Sequence, residues 1–246
     1  MIPLRDANPT QRTPIVTLAL IGACFVAFAY ELGVLASGGE PALDAFFLQH
    51  GVVPAELTAS VRSGNLLAAP ELSVFSSMFL HGGWIHLLGN MLYLWIFGNN
   101  IEDRLGRLPF LAFYLLGGVA AAATQVATAP QSPVPLIGAS GAIAATLGAY
   151  VVLYPRARIL SLAFLVFFYQ LIEVPALLVL GFWFVLQLID GATSLGATNA
   201  QGGVAFFAHI GGFVTGALIA LLVRARGARP PRPATGPRPP RPATVG

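Results

Sequence analysis

The chain has 246 residues, 56% of them hydrophobic and only 9% charged, with a mean hydropathy of +0.76 and a formal net charge of +3. A soluble domain carries about 25% charged residues, so composition excludes an ordinary soluble globular domain. It marks a polytopic membrane protein of single-domain length, for which no nucleic-acid partner is expected.

Residues 1–13 read as a cytoplasmic segment, and residues 14–223 as one membrane domain. About 20 residues cross a hydrocarbon core, and six apolar stretches approach that length. The first, Ile15–Leu35, lacks a small-residue cleavage pattern, so no cleavable leader is expected. It holds the single cysteine, Cys24, which reads as a small buried hydrophobe. A long outer connection, Ser37–Phe75, follows, and loops of this length usually carry structure or function. Met78–Phe97 and Phe110–Thr128 are the second and third spans. Ala139–Leu153 and Pro175–Ile189, the fourth and fifth, are short and are expected either to thin the bilayer or to sit at the bundle centre. Between them, Ile159–Ile172 is apolar and aromatic, and Glu173-Val174-Pro175 ends it. Proline suits the first turn of a helix, so this stretch is assigned to the cytoplasmic interface, with Glu173 an interfacial acid. Ala205–Val223 is the sixth span. Residues 224–246 form an Arg/Pro-rich tail with Arg-Pro-Pro-Arg-Pro-Ala-Thr repeated at 229–235 and 238–244. Proline this dense favours extended, disordered chain, and its arginines suit anionic lipid. The predicted class is an all-α, six-helix membrane bundle with a long outer loop after the first helix.

Arginine sets the orientation. Arg5, Arg12, Arg104, Arg107, Arg156, Arg158 and the six arginines from Arg224 onward fall on one side of an alternating six-span chain. Only Arg62 falls on the other side, among Glu40, Asp44, Glu56 and Glu71. The positive-inside rule then puts both termini in the cytoplasm.

Polar residues inside the apolar stretches carry the chemistry. Ser140, in Gly138-Ala139-Ser140-Gly141, lies at the outer mouth of the fourth span, and His209 at the outer mouth of the sixth. Such groups are costly in a bilayer and suggest a site. At a helix start the backbone N–H groups are unpaired and the dipole is positive, which suits a nucleophile whose reaction develops an oxyanion. Ser140, Ala144 and Gly148 form one small stripe, and Gly212 and Gly216 follow His209 on another. Small faces let helices approach closely. In the second span, His86 and Asn90 are four apart on one face, able to donate to an oxyanion, and His81 lies closer to water. Each residue alone suits simple packing; their common depth favours a site. No carboxylate accompanies the pair, so a dyad is expected, its imidazole oriented by packing or by a hydroxyl or carbonyl. Three histidines could bind zinc, but His-Glu-x-x-His is absent, and no metal or cofactor is expected. A transporter or channel is disfavoured because no inverted repeat or mid-membrane charge is evident.

These residues resemble the rhomboid family of intramembrane serine proteases over about Phe75 to Leu222. The matching blocks are Phe79-Leu-His81-Gly-Gly-Trp-Ile-His86-Leu-Leu-Gly-Asn90-Met, Phe97-Gly98-Asn-Asn-Ile-Glu102-Asp103-Arg104-Leu-Gly106, Gly138-Ala-Ser140-Gly141, and Ala208-His209-Ile-Gly-Gly212-Phe-Val-Thr-Gly216. The resemblance implies Ser140 as nucleophile and His209 as general base. It implies Asn90, His86 and the Ser140 N–H as the oxyanion site, with His81, Gly138, Gly141 and Gly212 in support. Glu102 and Arg104 would brace the loop after the second span, Asp190–Gly203 would cap the site, and the fifth span would gate it laterally. The implied partners are transmembrane substrate proteins and the lipid bilayer; the alternative is an inactive relative that binds transmembrane helices without cutting. Many relatives carry an aromatic residue four positions after the serine, packed on the imidazole. Ala144 stands there instead, which leaves His209 to another group, such as a phenylalanine from a different span.

Overall fold

The computed structural model describes residues 2–64, 69–165, 168–194 and 205–225. The Arg/Pro repeats and most of the expected cap, Asp190–Gly203, lie outside them. Four helices are long and apolar enough to cross a membrane, and Ser140–Leu153 is a shorter apolar helix. Helix α1 (Ile15–His50) is bent at Gly39, where φ is 68°. Glycine accepts this backbone without a Cβ clash, and Pro41 suits the start of the run beyond it. Helix therefore resumes inside the predicted outer connection rather than ending at Leu35. That connection also holds α2 (Pro54–Ser63) and α3 (Ala69–Ser76).

A 3₁₀ turn, Ser77–Phe79, does not run on into helix. Gly83, at φ 154°, breaks the chain, and α4 (Trp84–Tyr93) begins after it, later than the predicted Met78. The helix then continues past Phe97, through a π-helical stretch, Leu94–Gly98, into α5 (Asn99–Leu105).

The centre of the bundle is α7 (Ser140–Leu153), buried at every residue from Gly141 to Tyr150. Around it pack α6 (Arg107–Thr128) and α9 (Phe206–Ala225). A Cβ on Gly212 would collide with the Gly141 carbonyl, one on Gly216 with the Ala145 carbonyl, and one on Gly148 with the Phe213 carbonyl. The two helices thus run parallel with backbones touching, as small-residue faces allow. Helix α6 packs antiparallel to them, with Gly117 against Ala145 and Ala121 against Gly141. The helix expected as the fourth span, α7, is short at 14 residues and is enclosed by the other helices. The helix expected as a short fifth span is not short: α8 (Ala176–Ser194) has 19 residues, and Leu178 and Phe182 are 62% and 66% exposed along it.

The all-α expectation fails at the opposite end from Ser140. Strands β1 (Ile2–Asp6), β2 (Arg158–Leu165) and β3 (Phe168–Pro175) form an antiparallel sheet in the order β1-β2-β3. Ala157, Ile159, Ser161 and Ala163 are buried while Arg158 is exposed and Leu160 and Leu162 are half-buried. This is the period-two signature of a strand, which near-uniform hydrophobicity hides in the sequence. The N-terminal segment is therefore built into the domain. Asp6 anchors it, accepting hydrogen bonds from Tyr150 Oη (2.7 Å), Asn100 Nδ2 (2.7 Å) and Asn8 Nδ2 (3.2 Å). Burial pushes the Asp6 carboxyl above its ordinary range, and the bonds from Tyr150 and Asn8 pull it partly back.

Glu102 braces a different element from the one expected. Its carboxylate accepts from the N–H groups of Val16 (3.0 Å) and Thr17 (2.8 Å) and from the Thr17 hydroxyl (2.8 Å). Helix α1 has no side-chain cap of its own, since Pro14 precedes it. A buried carboxylate from α5 thus satisfies the free donors and meets the positive end of the dipole. Replacing Glu102 with Ala strands these donors and is expected to cost about 2–4 kcal/mol. Thermal unfolding in detergent would read this as a clear drop in midpoint. Asp103→Ala, which removes one exposed bond to the Gln11 N–H, should barely move it. Equal midpoints for Glu102→Ala and the unmodified chain would refute the capping role.

Candidate active site

The chain reaches Ser140 along a clamped path. Val52 and Leu136 exchange backbone hydrogen bonds of 3.0 and 2.7 Å, and the Gly138 N–H donates to the Ser77 carbonyl at 2.8 Å. Gly138 has φ 127°, a conformation that disfavours side chains. A Cβ there would also lie 2.8 Å from His86 Nε2 and 3.6 Å from Ser140 Oγ. Glycine therefore both turns the chain into α7 and leaves room for an imidazole beside the serine. Ser140 is the first residue of α7, where the leading N–H groups lack partners within the helix.

His209 lies in the first turn of α9. That turn is pinned by a hydrogen bond of 3.2 Å from the Ala208 N–H to Gln125 Oε1 of α6. Ser140 Oγ and His209 Nε2 are 2.7 Å apart, and His209 Nδ1 is 2.6 Å from Gln187 Oε1 of α8. An amide oxygen only accepts, so Nδ1 carries the proton and Nε2 presents its lone pair to the Ser140 hydroxyl. The Trp183 ring, also on α8, lies 5.7 Å from the imidazole at 40°. The imidazole is thus oriented by an amide carbonyl and a tryptophan from α8, not by a phenylalanine. Gln187 was legible in principle as the one polar residue within 176–189, but nothing in the sequence pairs it with position 209.

The structure brings Ser140, His209, Gly138, Gly141, Gly212 and His86 together. His86 Nδ1 accepts from the Gly82 N–H at 3.4 Å, which leaves Nε2–H as a donor on the Ser140 side. Asn90 shares that face of α4, and its buried Nδ2 has no partner among the described residues. His81 stands one step back. Its ring packs edge-on against His86 with centroids 5.1 Å apart, and its Nδ1 is 3.0 Å from the Phe79 carbonyl. The His81 N–H donates to the Glu31 carboxylate at 3.1 Å. Glu31 is 2% exposed, so an acid does sit inside the bundle, contrary to the sequence reading. It holds the His81 backbone, and among the described residues no carboxylate is hydrogen-bonded to Ser140 or His209. A small cleft opens beside Ser140. It is walled by small groups, among them Gly118, Ala121, Ala122 and Ala208.

Together these features define a helical membrane protein with a serine–histidine hydrogen bond at one end of its bundle. The profile of the Rhomboid domain matches residues 71–226, and the chain belongs to the rhomboid family. It is 29% identical to Rhomboid protein 1, mitochondrial, of Saccharomyces cerevisiae over 152 residues, which cover 60% of this chain and 40% of that protein. It is 34% identical to Rhomboid protease GluP of Bacillus subtilis over 163 residues, 65% of this chain and 28% of that one. To Presenilin-associated rhomboid-like protein A, mitochondrial, of Danio rerio it is 39% identical over 90 residues, 36% of this chain and 24% of the relative. The matched stretches thus span well under half the length of these relatives.

Proposed function

We propose that this chain is an intramembrane serine endopeptidase that cuts transmembrane segments of other proteins near the outer leaflet. In this reading it has six spans, α4 to α5 and the short α7 among them, with both termini cytoplasmic. The observation that carries the proposal is the 2.7 Å contact between Ser140 Oγ and His209 Nε2. It joins two groups from separate helices, the first 69 residues from the second. A relative named as a protease supports the same reading.

His209 Nε2 takes the Ser140 proton as Oγ attacks the scissile carbonyl, and a C–O bond forms. The Ser140 N–H, Asn90 Nδ2 and His86 Nε2–H serve the developing oxyanion. A buried amide donor without a partner is costly in the resting protein, and such preorganised donors act at the transition state. The imidazolium then returns its proton to the leaving amine as the C–N bond breaks, which leaves an acyl-Ser140 ester. Water, deprotonated by His209, hydrolyses that ester and regenerates the hydroxyl. A substrate helix has its carbonyls paired internally, so it unwinds locally before it is cut, and helix-destabilising residues near the cut favour cleavage.

The competing reading is an inactive relative that only binds helices. A fluorophosphonate separates the two, because only an activated serine displaces its fluoride. The purified protein in detergent is expected to acquire one phosphonyl group, located on Ser140 by mass spectrometry. Absence of labelling, or labelling at another residue, would end the protease proposal.

A further inference from the structure

We infer that Gln187 is the positioning residue for the general base. The inference rests on the proposed role of Ser140 and His209. Gln187 is 8% exposed, and its Oε1 lies 2.6 Å from His209 Nδ1, the shorter of the two side-chain bonds to that ring. A carbonyl at this point fixes two properties of the base. It selects the tautomer with the proton on Nδ1, and it holds the ring so that the Nε2 lone pair meets the Ser140 hydroxyl. This is the job an acid does in a Ser-His-Asp triad. An amide does it without placing a formal charge inside the bilayer, where a charge is expensive.

The orienting groups come from one helix. Trp183, one turn before Gln187, flanks the same imidazole and also packs near Phe213 at 6.3 Å, while Phe184 stacks on Phe213 at 4.3 Å. Residues 176–193 of α8 are only 22% buried, against 39% for the spans in α6 and α9. The serine is therefore held by the most enclosed helix of the bundle and the base is oriented by one of the least enclosed.

The test measures fluorophosphonate labelling of Ser140 per folded molecule, as a function of probe concentration, in the full chain. Gln187→Met keeps an unbranched side chain but has no carbonyl, and Gln187→Glu restores an acceptor oxygen. The Met variant is expected to label about 10–100-fold more slowly at saturating probe, with half-saturation unchanged, and the Glu variant to stay within a few-fold of the parent. If Gln187→Met does not fold, Gln187→Leu replaces it. Full-rate labelling of the Met or Leu variant overturns the inference. So does failure of Glu to restore the rate, which would reduce Gln187 to packing. A parent that never labels instead overturns the nucleophile assignment, and the inference falls with it.

Discussion

Replacing Ser140 with Ala is expected to abolish cleavage of a reconstituted single-span substrate, with a fall of roughly 10³-fold or more in rate, while the protein still folds and inserts. The loss is large because, on the proposed mechanism, Oγ is the atom that forms the covalent bond, and no other hydroxyl is hydrogen-bonded to His209 among the described residues. Folding should survive because Ser140 is half-buried at the mouth of α7, and α7 is held by contacts further along, at Gly141, Ala145 and Gly148. His209→Ala should lose nearly as much, and the double variant little more than either, since a nucleophile and its base act as one unit. Independent, multiplying losses would mean that the two residues act in separate steps. Residual cleavage at wild-type rate in Ser140→Ala would refute the nucleophile outright. The assay uses proteoliposomes and a substrate carrying helix-destabilising residues near the outer leaflet, with product read by mass.

The sequence carried the pair but not its setting. Ser140 and His209 were legible because polar residues within apolar runs are few, and because small residues at four-residue spacing follow each of them. Those spacings encode the parallel approach of α7 and α9 at the residue level, as the glycine contacts with Gly141, Ala145 and Phe213 show. Three features were not legible. The sheet was hidden because Ile159–Ile172 is apolar on both faces, so its alternation of burial leaves little trace in hydropathy. Glu31, and the partners of Glu102, were hidden because each carboxylate binds backbone N–H groups, at His81 and at Val16 and Thr17, and backbone donors have no sequence signature. Gln187 was visible as a polar intruder in a span, but its partner lies 22 residues away on another helix. Such pairings depend on how helices rotate against each other, which no local pattern specifies.

The glycine faces also set the Ser140–His209 distance, so on the proposed mechanism Gly212→Ala is expected to cost activity out of proportion to its size. Gly212 lies less than a full turn beyond His209 on α9, and an added Cβ would run into the Gly141 carbonyl, with the Ala144 Cβ at 3.3 Å. A carbonyl within the buried run of α7 cannot move aside as a flexible side chain can. Helix α9 must retreat instead, by about 1 Å, and a displacement of that size costs roughly 10²-fold where reacting atoms must stay aligned. The present Ser140–His209 separation of 2.7 Å leaves little slack before the hydrogen bond is lost. Overpacking also destabilises, by about 1–3 kcal/mol, so the thermal midpoint should fall as well. Gly22→Ala is the control, because nothing lies within 4 Å of a Cβ at that position on α1. There the loss of glycine's backbone freedom should leave stability level or raise it by about 0.5–1 kcal/mol, with cleavage unchanged. Cleavage by Gly212→Ala within twofold of the parent would mean that α9 accommodates the methyl without moving its histidine, and that the close approach of the two backbones is not what aligns the base.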